Sequence, residues 1–343
     1  MEKKFDFKDV TLVPEIISSI SHRYEIDIHN EDGKLPIFVS PMDTVVDEFN
    51  YKHFTDKNFE VCLPRHIKIY NNDIFTSMSM EEFEEYVEWY SVRAVLPSKS
   101  RVLVDIANGH MERLLNVVKK FYKIRKSDQH MVMVGNIANP KTYEQFAKLG
   151  LDFIRVGIGG GSGCLTSANT GVHYPMASLI HETYKIKKEN NYHTKIVADG
   201  GFRNYDDIIK ALALGADYVM LGGILNKCLE SCAKTKLFRI FPISDELSQK
   251  IWKDFPKLRY FMSKSFRGMS TKEVQKKWNK GKLKTSEGIS KTNKVEYTLE
   301  QWTENLQDYL KSAMSYTNSK NLEDFKKSDF ILITQNALNR FNK

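Results

Sequence analysis

No stretch of the 343-residue chain approaches the run of about 18 apolar residues that a membrane-crossing helix requires, so no such helix is expected. Cysteine is scarce. The four present (Cys62, Cys164, Cys228 and Cys232) follow neither a disulfide framework nor a zinc spacing, which excludes a cysteine-stapled scaffold and suits a reducing compartment. The first residues, Met1-Glu2-Lys3-Lys4-Phe5-Asp6, lack the apolar core of a signal peptide, and the cytosol is the expected location. What the chain does have excludes disorder: 41% hydrophobic, 27% charged and 12% aromatic residues, long enough for one large domain or two ordinary ones with a full core.

The formal net charge of +8 invites a nucleic-acid reading until its distribution is counted. Residues 250–294 hold twelve Lys, two Arg and three acids, a local balance of +11 that leaves −3 for the rest. Basicity therefore belongs to one segment. With Gly268, Gly281 and Gly288 and no long apolar periodicity, that segment reads as a long mobile loop. It is either a solvated surface loop or a flap that closes over an anionic ligand. Nucleic acid is the weakest reading, because aromatics do not interleave regularly with the charges.

Short apolar segments alternate with amphipathic ones along most of the chain. Candidate strands are Pro36–Met42, Glu60–His66, Ile74–Met78, Arg101–Ala107, Met131–Ile137, Asp152–Gly157, Lys195–Gly200 and Tyr218–Leu225. They are rich in Val, Ile and Leu with little alternation, as parallel strands buried on both faces should be. Helix candidates between them include Glu81–Tyr90, Met111–Ile124, Lys141–Leu149, Pro175–Lys188 and Tyr205–Leu214. Gly150 and Gly215 follow two of these helices, where a residue must reach positive φ. Eight strands with interleaved helices predict an α/β fold, a (β/α)8 TIM barrel, with an open doubly wound sheet as rival. Glycines at strand C-termini favour the barrel. The second and third strands stand too close for a full helix between them, and residues 226–297 form an excursion before the amphipathic pattern Leu299–Met314. The expected organisation is a single barrel over 1–343 with that post-barrel flap and a C-terminal helix.

The most informative stretch runs from Arg155-Val156-Gly157 through Gly159-Gly160-Gly161-Ser162-Gly163 to Cys164-Leu165-Thr166. A buried strand feeds directly into glycines, which let the backbone turn sharply and approach a ligand. Backbone groups in such a loop can bind a phosphate or a cation, although a glycine-rich loop alone is weak evidence. A lone cysteine is more often a small hydrophobe than a nucleophile. Cys164, however, has little side-chain packing around it at a strand end, which raises the nucleophile reading.

These residues resemble the IMP dehydrogenase/GMP reductase family, whose sixth barrel strand ends in a Gly-Ile-Gly-x-Gly-Ser-x-Cys-x-Thr pattern matched by Gly157–Thr166. The likeness extends in order through Phe5–Val10, Pro41–Val45, Asp105–His110, Thr170–Pro175, Asp199–Gly201, Met220–Gly223, Phe266–Ser270 and Ser286–Gly288. It implies that Cys164 adds to purine C2 of a nucleoside monophosphate, with Thr166 and Glu287 as a proton relay; on its own Glu287 is one acid among lysines. It further implies that Asp199 meets the ribose and that Ser162, Gly200, Gly201, Gly222 and Gly223 cradle the 5′-phosphate. Gly268, Met269, Ser270, Ser286 and Gly288 fall at the nucleotide, and Asp105, Asn108 and Gly109 at the nicotinamide of NADPH. Carbonyls of Gly159, Gly161 and Cys164 match a K+ site, and self-association as a homotetramer is implied as well.

Two features of the resemblance favour the reductase. No regulatory domain pair interrupts Ile69–Asp73, and Trp278–Thr285 lacks the Arg-Tyr pair with which IMP dehydrogenases activate water. The expected function is NADPH-dependent reductive deamination of GMP, or a related purine nucleotide, to IMP and ammonia. The alternatives are an IMP dehydrogenase without the regulatory insert and a catalytically silent nucleotide-binding barrel. Leu165, Ser167, His173 and Phe266 depart from the family pattern, and the stretch around Ile240–Tyr260 is longer than the norm.

Overall fold

Residues 3–70, 72–92, 99–278 and 285–341 are described by a computed structural model. Eight parallel strands close a barrel in chain order: β1 (Ile37–Val39), β2 (Glu60–Leu63), β3 (Ile74–Met78), β4 (Ser100–Asp105), β5 (His130–Ile137), β6 (Phe153–Val156), β7 (Lys195–Asp199) and β8 (Tyr218–Leu221). Closure runs through the pairs Ile37↔Val219, Phe38↔Met220 and Val39↔Leu221. The fold is therefore the (β/α)8 TIM barrel.

Alternation along each strand divides the core in two. Phe38, Cys62, Phe75, Leu103, Met133, Val197 and Met220 point inward and fill the barrel. The rings of Phe38, Phe75 and Tyr218 meet edge to face there, with centroids 5.5 and 4.9 Å from Phe38. Each buried aromatic contributes roughly 2–3 kcal/mol. The outward set, including Ile37, Val39, Val61 and Leu63, packs against the helices in a larger second core.

Local signals set the helix ends. Asn139 caps the helix Pro140–Ala147 by accepting from Lys141 N–H, with Pro140 in the first turn, where no N–H is needed. Thr298 and Gln301 form a reciprocal capping box on Leu299–Tyr316. Gly150 and Gly215 take φ of +82° and +114°, as anticipated. At Gly215 a Cβ would lie 2.1 Å from the Tyr184 ring, so close packing also demands glycine there.

Two expectations need correction, and one pairing was not anticipated. The eighth strand stops at Leu221, because Gly223–Asn226 turns into a short helix. The basic excursion is an ordered subdomain rather than a loop: β9 (Thr235–Leu237), β10 (Phe241–Pro242), β11 (Met262–Arg267) and β12 (Ser290–Lys294) pair antiparallel in the order β10-β9-β11-β12. Leu229, Ile251, Met262 and Val295 give it a small core of its own. Finally, Val10–Leu12 pairs antiparallel with Phe330–Leu332, tying early and late segments together without any alternation that would announce it. The close spacing of β2 and β3 holds: no helix lies between them among the described residues. Nor is any described helix long and apolar enough to cross a membrane.

The subdomain is stapled to the barrel by buried polar groups. Asn226 donates to the Thr44 and Ser265 carbonyls at 2.7 and 3.1 Å and accepts from Asn293 at 2.8 Å. Within the subdomain, the buried Lys264 donates to the carbonyls of Leu229 and Ser231 at 2.7 and 2.5 Å. Arg267 pairs with Asp43 through Nη2 and Nε at 2.5 and 3.1 Å.

Candidate active site

The C-terminal ends of the strands open into a cavity of about 550 Å³, on the face where TIM barrels carry their chemistry. The β6 chain enters it at Gly157, whose φ is +133° and where a Cβ would lie 2.2 Å from the Asp199 carbonyl. Only glycine passes so close to the end of β7. The loop then presents Cys164 and turns into the short helix Thr166–Thr170, which ends at Gly171 with φ +71°.

Cys164 is partly exposed, and its thiol donates to Thr166 Oγ1 at 3.2 Å. The Thr166 hydroxyl in turn donates to Glu287 Oε2 at 2.5 Å. Thiol, hydroxyl and carboxylate thus form one proton path. Glu287 arrives from the subdomain on a backbone crossing. Leu165 N–H donates to Glu287 O at 2.6 Å, Ile289 N–H to Gly163 O at 3.0 Å, and Gly268 N–H to Ile289 O at 3.0 Å. Cys164 and Gly288 form an antiparallel bridge. The crossing is tight enough that a Cβ on Gly268 would sit 2.2 Å from the Gly163 carbonyl.

The other cysteines are poor nucleophiles. Burial pushes the thiols of Cys62 and Cys228 well above the ordinary range and that of Cys232 up to about 12.

Below the cysteine loop lies a polar floor. Arg155 is fully buried in β6 and donates to Asp105 Oδ1 at 2.7 Å and to Asp199 Oδ2 at 2.7 Å. Burial opposes its charge, but Asp199 and Asp105 outweigh that and hold the guanidinium pKa above the ordinary range. Asn136 donates to Asp199 Oδ2 at 2.7 Å and to the Gly157 carbonyl at 2.8 Å. Arg65 reaches Asp105 Oδ2 at 3.4 Å. On the opposite rim the glycines hold space open. A Cβ on Gly222 would meet Met42 Sδ at 2.5 Å, and one on Gly223 would meet Ser162 Oγ at 2.6 Å.

Of the residues singled out in sequence, Cys164, Thr166 and Glu287 line the cavity together with Ser162, Asp199, Gly200, Gly201, Gly222 and Gly223. So do Gly268, Met269, Ser270, Asp105, Gly159 and Gly161. Four stand back from the wall. Gly288 pairs with Cys164, and Ser286 Oγ donates to the Gly288 carbonyl at 2.9 Å. Asn108 is exposed, and Gly109 is buried with its N–H on the Asn136 carbonyl at 2.8 Å. Sequence reasoning missed the floor residues Arg155, Asn136 and Arg65. An arginine inside the apolar strand Phe153–Val156 is itself a signal, since a buried guanidinium needs carboxylates.

The model for the IMP dehydrogenase / GMP reductase domain matches residues 92–341. The chain belongs to the IMP dehydrogenase/GMP reductase family. Among relatives, it is 28% identical to a GMP reductase of Staphylococcus saprophyticus, covering 98% of both chains. It is 28% identical to human GMP reductase 2 across 97% of this chain and 95% of that one, and 28% identical to a GMP reductase of Caenorhabditis elegans across 97% and 93%. As a member of this family it is an oxidoreductase.

Asp105 and Asn136 line the same cavity as Cys164. The Gly159 carbonyl accepts from Ser167 Oγ at 3.1 Å and the Gly161 carbonyl from Cys164 N–H at 2.9 Å. Each keeps a second lone pair, so a cation there would draw on those and on further oxygens.

Proposed function

We propose that the protein catalyses NADPH-dependent reductive deamination of GMP, or a close purine nucleotide, to IMP and ammonia. The Cys164–Thr166–Glu287 path at the cavity wall carries this reading. Purine C2 is a weak electrophile, and a thiolate is the side chain suited to attack it. Thr166 and Glu287 take up the thiol proton as the sulfur bonds to C2. They return a proton to the 2-amino group, which leaves as ammonia. A reduced nicotinamide held at this cavity would supply the hydride that C2 needs, and Cys164 would then leave C2 as a thiolate, taking the C–S electron pair. Asp199, held by Arg155 and Asn136 through Oδ2, keeps Oδ1 for the ribose hydroxyls. Ser162 with Gly201, Gly222 and Gly223 offers space and N–H groups to the 5′-phosphate.

The missing Arg-Tyr pair favours reduction over the hydrolysis of IMP dehydrogenases, although most of 278–285 lies outside the described residues. A monovalent cation at the Gly159, Gly161 and Cys164 carbonyls, a homotetramer and a cytosolic location complete the proposal. So does the assignment of Ser286, Gly288, Asn108 and Gly109 to the edges of the nucleotide and cofactor sites. The test is direct. GMP with NADPH should lose absorbance at the NADPH band and release ammonia in equal amounts, faster in K+ than in Na+. NADH production from IMP and NAD would select the dehydrogenase, and nucleotide binding without turnover would select the silent barrel.

A further inference from the structure

The loop after β4 and the C-terminal end of β5 are joined by a short ladder. Ile106 N–H donates to Gly135 O at 3.0 Å, Asn136 N–H to Ile106 O at 2.8 Å, and Gly109 N–H to Asn136 O at 2.8 Å. The last rung is a side chain. Ala138 N–H donates to His110 Nε2 at 3.0 Å, and His110 Nδ1 lies 3.0 Å from Thr142 Oγ1. A backbone amide can only donate, so Nε2 must carry a lone pair and the ring must be neutral, with its proton on Nδ1 directed at the Thr142 hydroxyl. His110 is further fixed by its own N–H, which donates to Asn108 Oδ1 at 3.1 Å.

We propose that His110 is a positioning residue: with Nε2 unprotonated it clamps the β4 loop to the β5 loop, and protonation releases the clamp. The strand ends and loops it joins carry Asp105, Ile106 and Ala107 on one side and Asn136 on the other, all at the cavity wall. Asn136 in turn holds Asp199. An imidazolium would set a positive N–H against the Ala138 N–H, replacing an attraction by a donor–donor clash. Glycine at 109 allows the loops to approach so closely, since a Cβ there would meet both Asn136 O and Ile137 Cγ2 at 2.8 Å.

The surroundings do not oppose neutrality. Desolvation lowers the His110 pKa from the ordinary histidine value, and no charged neighbour contributes. The nearby charged side chains Glu112, Arg113 and Lys141 are exposed, and Arg113 is engaged by Glu81 and Glu84. The clamp is therefore complete at neutral pH and is lost on acidification below the ordinary histidine range.

This inference rests on the reductase reading for its effect on turnover, not for the clamp. The decisive variant is His110→Gln, whose Oε1 can accept from Ala138 N–H and does not titrate. Hydrogen exchange of the peptide carrying Ala138, corrected for the intrinsic pH dependence, should lose protection about tenfold or more between pH 7.5 and 4.5 in the wild-type protein. It should stay protected in His110→Gln and be unprotected at both pH values in His110→Ala. The apparent KM for NADPH should rise at acid pH in the wild type and stay within about twofold across the same range in His110→Gln. Protection of Ala138 that ignores pH in the wild type, or falls equally in His110→Gln, overturns the proposal. Exchange behaving as stated while GMP is never reduced would leave the clamp standing and remove the reductase reading.

Discussion

Thr166 and Glu287, 121 residues apart in the chain, meet through a 2.5 Å hydrogen bond beside the Cys164 thiol. One comes from the barrel and the other from the subdomain, so the proton path exists only where the two are in register.

Removing either end should cost turnover and spare binding. Thr166→Val and Glu287→Gln are each expected to lower kcat about 10²–10⁴-fold, the range for a positioned acid or base. GMP affinity by calorimetry should change less than about threefold.

Cys164 should be the first thiol to react. The others are buried or carry raised pKa values. Limited iodoacetamide with peptide mass mapping should label Cys164 ahead of Cys62, Cys228 and Cys232, and GMP should protect it. Cys164→Ala should abolish turnover while leaving the melting temperature within about 2 °C.

Gly268→Ala should pull the register apart. Its new methyl would overlap the Gly163 carbonyl, and relieving such overpacking costs about 1–3 kcal/mol. Displacement of the crossing should lower kcat more than it lowers stability, measured as turnover against urea midpoint.

Lys264 predicts a pH dependence of stability. Burial lowers its pKa to about 8, with Asp245 the largest opposing influence. The unfolded chain binds a proton there up to the ordinary lysine value, whereas the folded chain has released it. Between about pH 8 and that value stability therefore gains from this group as pH rises, and below pH 8 the burial penalty is constant. Denaturant titrations of the wild type and Lys264→Met should differ in slope across that window and run parallel below it.

Arg267→Gln should remove the guanidinium that pairs with the Asp43 carboxylate, whose side chain is only 5% exposed. Breaking a fully buried pair costs roughly 3–5 kcal/mol, and the partial exposure of Arg267 brings this case below that range. Asp43→Asn in the same chain should recover part of the loss, which a double-mutant cycle on urea midpoints will measure.

The barrel was legible because parallel strands covered on both sides must be apolar throughout, and Val102–Val104 and Val132–Val134 are. The cysteine loop was legible because glycines in series after such a strand have few uses. The subdomain was not. Ser290–Lys294 carries no hydrophobic residue, and its extended form is set by pairing with Met262–Arg267, a long-range contact that local pattern cannot report. The helix Thr166–Thr170 is too short and polar to show a period. The ion pairs of Arg155 join three strand ends at once, so their geometry waits on closure of the barrel.

A separate small core, built around Leu229, Ile251, Met262 and Val295, lies in the subdomain that carries Glu287, to which the proposed chemistry assigns the proton relay. Four buried apolar side chains, with only the partly buried Leu237, Ile243, Trp252 and Leu258 packed against them, melt more readily than the interior of eight strands. Heating should therefore silence the enzyme several degrees before its circular dichroism changes, and cooling should restore it without a refolding lag.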